Sequence, residues 1–154
     1  MQRDRDRRAA AQAIQQALTA PRWGQKDLTR HKVLTQRLIA QLALHRGQPE
    51  VDDFLNRLYR NPSQVDSREL HYVQRRYVDG RPFQNVAELD ALYTRILEDP
   101  GALVYRKGGL RYQVCSPREG WIAILEPDGT RVSVYPDLND DLGEPLWTVQ
   151  ALIP

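Results

Sequence analysis

The chain has 154 residues, of which 41% are apolar and 27% are charged, and its formal net charge is +2. This length suffices for one compact unit with a core, or for two closely joined halves. A net charge so close to zero does not by itself indicate a nucleic-acid-binding protein. No apolar run approaches the length that spans a bilayer, so we expect no membrane segment.

The charges are unevenly distributed along the chain. Residues 1–80 hold 15 Lys and Arg against 9 Asp and Glu, whereas residues 136–154 hold four acids and no base. A basic half and an acidic tail favour either a polyanionic partner or internal ion pairing. The N-terminus lacks the apolar core of a secretory signal, so we expect a soluble, cytoplasmic protein, which acts in a target cell if it is delivered there.

Apolar residues at helical spacing predict five helices before residue 100. Their ranges are 3–20, 26–45, 49–60, 66–77 and 86–98. The second helix is predicted to face the core from Val33 and Leu34 through to Leu42. Asn85 is predicted to cap the fifth helix, with Glu88 as its acidic third residue.

The apolar period changes to two after residue 101 and predicts a meander of four strands. The strands are expected over residues 103–105, 110–114, 121–125 and 132–135. Gly108-Gly109 and Asp128-Gly129 mark tight hairpins, because Gly supplies the positive φ that such turns need. Residues 137–154 are predicted as a short strand or an extended segment that packs back. Helices first and sheet last indicate an α+β fold, with N-terminal helices followed by a small antiparallel β-meander sheet.

Residue types and spacings exclude several common site chemistries. One Cys and three His residues provide no zinc-finger spacing, and the chain has no His-Glu-x-x-His motif, no phosphate-binding Gly loop and no dinucleotide motif. We therefore expect no metal and no nucleotide cofactor. Cys115 falls within a predicted strand and is expected to be a small buried hydrophobe.

His71 is the histidine whose neighbours suggest chemistry. Imidazole exchanges a proton near neutral pH, and Arg75 lies one turn further along the same predicted helix. A neighbouring Arg lowers the proton affinity of His and provides a cation for an anionic ligand. The alternative is an exposed helical His beside solvated arginines.

The predicted sheet carries cations and hydroxyls that together can bind a phosphodiester. These residues are Arg106, Lys107, Arg111, Arg131, Ser133 and Tyr135. In the alternative interpretation, Ser133 and Tyr135 only form the polar side of a half-buried sheet, because they alternate with Val132 and Val134.

The order of these pieces resembles the barnase, EndoU, colicin and RelE-like nuclease superfamily. The likeness is to the tRNase toxin domains of contact-dependent inhibition systems and of the colicin D type. The matching pieces are His71 with Arg75 and Arg76, Phe83, the helix 86–98, and the segments 104–109, 121–124 and 128–136. They cover somewhat under half of the chain, and Leu70 stands where the family has a lysine before the histidine.

The resemblance implies a metal-independent, toxin-like ribonuclease in residues 66–154, preceded by a helical N-terminal region, residues 1–65. RNA supplies its own nucleophile, so such an enzyme needs a base for the 2′-hydroxyl, an acid for the leaving oxygen and donors for the phosphorane. The implied catalytic residues are His71, Arg131, Ser133 and Tyr135. The implied substrate-binding residues are Arg75, Arg76, Arg106, Lys107 and Arg111. The implied partners are RNA, including tRNA, and a cognate immunity or antitoxin protein.

Two other classes of protein fit the same pattern. One is a non-catalytic RNA- or protein-binding module of mobile-element origin, whose helical half docks a partner. The other is an immunity-like or structural protein, for which a stable protein complex replaces RNA binding. Steeply salt-dependent RNA affinity without cleavage would indicate the first of these.

Overall fold

Two compact units make up the part of the chain that the computed structural model describes, which is residues 2–26, 28–107, 111–137 and 144–154. The sheet unit is formed by Met1–Trp23 with Asp90–Pro154, and the helical unit is Gly24–Leu89. The boundary predicted at residue 65 falls inside the helical unit.

Helices precede the sheet along the chain, which confirms the predicted α+β class. The described elements are α1 (Gln2–Thr19), β1 (Gln25–Lys26), α2 (Lys32–Ala43), α3 (Pro49–Arg60), β2 (Val65–Asp66), α4 (Ser67–Val73), α5 (Val86–Glu98), β3 (Leu103–Lys107), β4 (Arg111–Ser116), β5 (Trp121–Leu125), β6 (Arg131–Pro136), β7 (Trp147–Thr148) and α6 (Val149–Leu152). A π-helical turn over Gln74–Val78 continues α4. No helix in these ranges is both long and apolar enough to cross a membrane.

The sheet unit contains a five-stranded antiparallel sheet in the order β6-β5-β4-β3-β7. The predicted four-strand meander is confirmed, and the predicted short C-terminal strand is β7, which pairs with β3. At the turn between β5 and β6, Gly129 has φ +90°, and the Thr130 amide donates to Asp128 Oδ1 at 2.9 Å. The predicted Asp-Gly turn is thereby confirmed, whereas the predicted Gly108-Gly109 turn lies outside the described residues.

One face of this sheet packs on α1 and α5 and forms the core. The fully buried side chains on that face belong to Val104, Val114, Ala123, Leu125 and Val134. The absence of a side chain at Gly129 lets α1 approach closely: a Cβ at this position would lie 2.6 Å from Gln16 Cβ and 2.8 Å from the Ala13 carbonyl oxygen. From α5, the buried Tyr93 hydroxyl donates to the Ile124 carbonyl oxygen at 2.5 Å.

The opposite face, here called the second face, carries a smaller apolar cluster. Cys115, Ile122 and Ile124 are its buried members, and Tyr105, Val132 and Tyr135 pack against them. Cys115 is therefore a buried hydrophobe, as expected, and burial raises the pKa of its thiol to about 12.

In the helical unit, local sequence signals set where the helices begin. The Arg68 amide donates to Asp66 Oδ1 at 2.9 Å at the start of α4. At α5, the Glu88 amide donates to Asn85 Oδ1 at 3.0 Å, and Glu88 Oε2 accepts from the Gln84 amide at 2.8 Å. The Asn85 side chain confirms the predicted cap, and Glu88 binds the amide of Gln84, the residue before the cap.

The start of α2 is the main correction to the predicted helices. The predicted helix begins at residue 26, but α2 begins at Lys32 because Gln25–Lys26 pairs with Val65–Asp66 as strand β1. Leu28, on the intervening turn, takes a buried position instead. Val33 and Leu34 are therefore 72% and 60% exposed, so the prediction of a core-facing helix is wrong for its first turn.

Candidate functional site

Arg131 is a buried residue at the start of β6, with 1% of its surface exposed. One terminal nitrogen, Nη2, donates to the Ala17 carbonyl oxygen at 3.0 Å and to Thr94 Oγ1 at 3.1 Å. The other, Nη1, donates to the Asp90 carbonyl oxygen at 3.3 Å and lies 3.6 Å from Asp90 Oδ1. These residues, together with Tyr93, are called the Arg131 cluster below.

Aromatic rings complete the surroundings of this guanidinium. Its carbon lies 4.5 Å from the centre of the Tyr93 ring, and Trp23 meets that ring edge-on at 5.4 Å. Trp23 Nε1 also donates to Asp90 Oδ1 at 2.7 Å. Burial lowers the pKa of Arg131 and raises that of Tyr93. Arg131 therefore joins α1, α5 and β6 from within the core, a position in which it offers no exposed group to a phosphate.

A β-bulge explains why Arg131 and Ser133 lie on different faces of the sheet. Residues two apart on a regular strand share a face. Here Ser133 pairs with Ile124 and Arg131 pairs with Leu125, so Val132 is the additional residue of the bulge. Arg131 consequently lies on the core face and Ser133 on the second face.

The second face brings Ser133 and Tyr135 together. Both are half-buried, and Gln113 Nε2, on a residue that is 2% exposed, donates to Tyr135 Oη at 3.0 Å. Arg111 shares this face by alternation with the buried Tyr112, and its Nε donates to Glu126 Oε1 at 2.8 Å. This face thus carries two hydroxyls and one ion-paired cation from the predicted set.

In the helical unit, the predicted histidine is buried and the two predicted arginines are engaged with neighbouring side chains. His71 lies on α4 with 3% of its surface exposed. Arg75 forms an ion pair with Asp79. Arg76 Nη1 donates to Glu50 Oε1 at 2.8 Å and to Tyr72 Oη at 2.6 Å.

Burial raises the pKa of Tyr72 to about 12, so this phenol is neutral at physiological pH. His71, Arg75 and Arg76 thus belong to the helical unit, whereas Arg131, Ser133 and Tyr135 belong to the sheet unit.

Arg106 lines an opening in the sheet unit that the sequence did not predict. This opening, called the α1 cleft, has a volume of about 410 Å³ and is lined by Arg3, Asp6, Arg106, Leu146 and Trp147. The Arg106 guanidinium carbon lies 5.6 Å from the centre of the Tyr112 ring. The side chain of Lys107, the remaining predicted residue, is outside the described part of the structure.

A second opening, of about 380 Å³, lies further along α1. Asp4, Arg7, Arg8, Ala11 and Leu152 line it, and Arg7 Nη2 donates to the Ala151 carbonyl oxygen at 2.6 Å. The alternating Arg and Asp residues at 3–8 mark this end of α1 in the sequence. The proximity of these Arg and Asp residues to Trp147 depends on the packing of α1 beside α6. No local sequence pattern encodes that packing.

Within the described ranges, no three His, Cys, Asp or Glu side chains are grouped so as to hold a metal ion. No protein-family model matches the chain, and no curated protein or solved structure is detectably similar to it.

Proposed function

We propose that the protein binds single-stranded RNA in the cytoplasm, through the α1 cleft. The observation that carries the proposal is the combination of two guanidinium groups, an indole ring and a carboxylate around one opening of about 410 Å³. Pockets that hold small ligands have volumes of about 300–1,000 Å³, so the opening has room for a nucleotide.

The charged and aromatic residues that line the cleft each match one part of a nucleotide. Arg3 and Arg106 present planar sets of donors that suit phosphate oxygens. The half-buried Trp147 provides a ring on which a base of any identity can stack. Asp6 can accept a hydrogen bond from a ribose 2′-hydroxyl, which distinguishes RNA from DNA.

The second opening extends this surface along α1. A strand that leaves the α1 cleft toward α6 meets Arg7 and Arg8. The two openings together are lined by four arginines and two aspartates. The surface therefore has a local excess of positive charge, although the net charge of the whole chain is only +2.

A metal-independent ribonuclease acting on tRNA or other RNA is the second candidate, and the second face of the sheet favours it. Ser133, Tyr135 and Arg111 share that face, and the hydroxyls can donate to a phosphorane oxygen. In this candidate Arg131 positions β6 without touching the substrate, and a cognate immunity or antitoxin protein is the partner.

Salt-dependent binding tests the first proposal. A labelled single-stranded RNA is titrated with wild-type protein and with an Arg3→Gln/Arg106→Gln variant at several salt concentrations, and binding is followed by fluorescence anisotropy. Loss of two phosphate contacts should make the slope of log K against log salt shallower by about 1.4.

The matched control is Arg22→Gln/Arg95→Gln, which removes two half-exposed, ion-paired arginines elsewhere in the sheet unit. This control should keep the wild-type slope. Equal slopes for all three proteins, or no RNA binding by the wild type, would refute the α1 cleft as an RNA site.

Cleavage is tested on the same RNA and on purified tRNA, in the presence of chelator. A ribonuclease gives products that disappear in a Ser133→Ala/Tyr135→Phe variant that still binds RNA. RNA that is bound but stays intact in the wild-type reaction selects the binding module.

A further inference from the structure

Helix α2 has an outer face on which apolar side chains are exposed. Val33 is 72% exposed and Leu44 is 84% exposed. With the exposed Arg37 and Ala40 they lie at positions i, i+4, i+7 and i+11, a spacing that places all four on one side of a helix. These four residues are called the α2 face. Leu34, 60% exposed, flanks it.

The segment that carries this face contains charges of a single sign, and the carboxylate of Asp52 on α3 binds the Gly47 amide just beyond it. Residues 28–49 contain four Lys or Arg, two His and no Asp or Glu. Lys32, Arg37 and Arg46 form no ion pair with any residue that the structure describes. Elsewhere in the same unit Arg57, Arg75 and Arg76 are paired with carboxylates. The positive charge on α2 is therefore not neutralised within the described structure.

The first turn of α2 also lacks the groups that normally stabilise a helix start. His31 occupies the N-cap position without a side-chain hydrogen bond to the helix, and the first turn contains no acidic residue. Lys32, the first helical residue, places a cation at the positive end of the helix dipole. A carboxylate from another molecule would interact favourably at this end.

We propose that the α2 face docks an acidic amphipathic helix of a partner protein. Apolar side chains of that helix would cover Val33 and Leu44, and its carboxylates would pair with Lys32, Arg37 and Arg46. Helices bind grooves and faces in this way through residues at i, i+4 and i+7. Charge complementarity speeds such association and excludes partners of the wrong sign.

Two other occupants fit the face less well. A second copy of this chain would bring the unneutralised cations of two α2 helices together, and like charges across an interface are destabilising. RNA would meet aliphatic side chains at Val33, Ala40 and Leu44, which offer no aromatic ring for stacking. An acidic protein helix uses both the apolar surface and the positive charge.

The test uses the full chain and a synthetic helical peptide with leucines on one face and glutamates on the other. Anisotropy of the labelled peptide should show saturable binding that weakens at high salt. Leu44→Ser/Val33→Ser and Arg37→Glu should each weaken binding about tenfold or more, as expected for residues at the centre of an interface. These positions are exposed, so circular dichroism should show an unchanged fold.

Matched controls make the result specific to α2. Tyr59→Ser changes a large hydrophobic residue of the same unit that is 57% exposed, and it should leave peptide binding unchanged. A peptide of identical composition with its leucines spread around the helix should bind at least tenfold more weakly. The Arg3→Gln/Arg106→Gln variant should bind the peptide normally, which separates failure of this proposal from failure of the RNA proposal.

Four outcomes would overturn the proposal. The first is absence of saturable peptide binding, and the second is equal peptide binding by the wild type and by Leu44→Ser/Val33→Ser. The third is binding of anionic vesicles, but not of the peptide, that depends on these residues. The fourth is self-association of the wild type that Leu44→Ser/Val33→Ser abolishes. The third outcome would assign the face to a membrane surface and the fourth to a second copy of the chain.

Discussion

The Arg131 cluster and the α1 cleft both belong to the sheet unit and both combine arginine, aspartate and aromatic side chains, but they differ in solvent exposure. In the cluster, two carbonyl oxygens and the Thr94 hydroxyl accept hydrogen bonds from the two terminal nitrogens of Arg131. In the cleft, Arg3 and Arg106 border an opening of about 410 Å³. The same residue types thus pack inside the fold in one place and, in our proposal, bind RNA in the other. Burial separates the two roles.

The largest expected effect is the loss of stability on removal of the buried cation. Arg131→Met deletes the hydrogen bonds to Ala17, Asp90 and Thr94 and leaves the Ala17 carbonyl oxygen buried without this donor. Removing one partner of a fully buried ion pair costs about 3–5 kcal/mol, and the Asp90 side chain is 29% exposed, so we expect the free energy of unfolding in urea to fall by up to that amount.

The contrasting variant is Arg111→Met, which removes a half-exposed ion pair with Glu126. Exposed pairs contribute about 0–1 kcal/mol, so this change should be small. Comparable stability of the two variants would contradict a structural role for Arg131. Loss of RNA affinity in a stably folded Arg131→Met protein would return Arg131 to the binding site.

The second prediction concerns the α1 cleft. Trp147→Leu keeps an apolar side chain on β7 but removes the ring on which a base would stack. Stacking of one base contributes about 1–3 kcal/mol, so RNA affinity should fall about 5- to 150-fold. Competition with DNA of the same sequence measures the contribution of the 2′-hydroxyl. Unchanged affinity would place the bound base elsewhere.

The third prediction concerns pH. Burial raises the pKa of Tyr93, so the folded state holds this proton more tightly than the unfolded state does. The stabilisation is complete below the ordinary tyrosine pKa of about 10 and is lost as pH rises through the higher folded value. Other buried groups, such as Cys115, add to the alkaline loss in the wild type.

Tyr93→Phe isolates the contribution of this residue. Above pH 10, the decline in unfolding free energy should be shallower in the variant by at most about 1.4 kcal/mol per pH unit, which corresponds to one proton. Urea unfolding between pH 7 and 11 measures both slopes. Parallel curves would show that the Tyr93 proton is not linked to folding.

Sequence signals predicted the features that are determined by residues close together in the chain. The Asp128-Gly129 turn and the Asn85 cap with Glu88 are examples, because the residues that form each feature are neighbours along the chain. The start of α2 was not predictable in this way. It depends on pairing of β1 with β2, about 40 residues further along the chain.

The candidate site shows the same limit. The chain does contain the cations and hydroxyls that RNA chemistry needs, as the sequence indicates. One bulged residue, Val132, then places Arg131 and Ser133 on different faces of the sheet. Periodicity assumes a regular strand, so it cannot reveal an inserted residue. The α1 cleft likewise arises from packing of residues about 140 positions apart, such as Asp6 and Trp147.

The contact between Gly129 and α1 has a consequence for how the chain folds during its synthesis. The helix is made first, but the turn that packs within van der Waals distance of Ala13 and Gln16 follows more than 110 residues later. Contacts between residues so distant in sequence slow folding. We expect α1 to remain undocked until the hairpin of β5 and β6 has been synthesised. We expect a fragment that begins at residue 90 to lack the helix that covers the core face of its sheet.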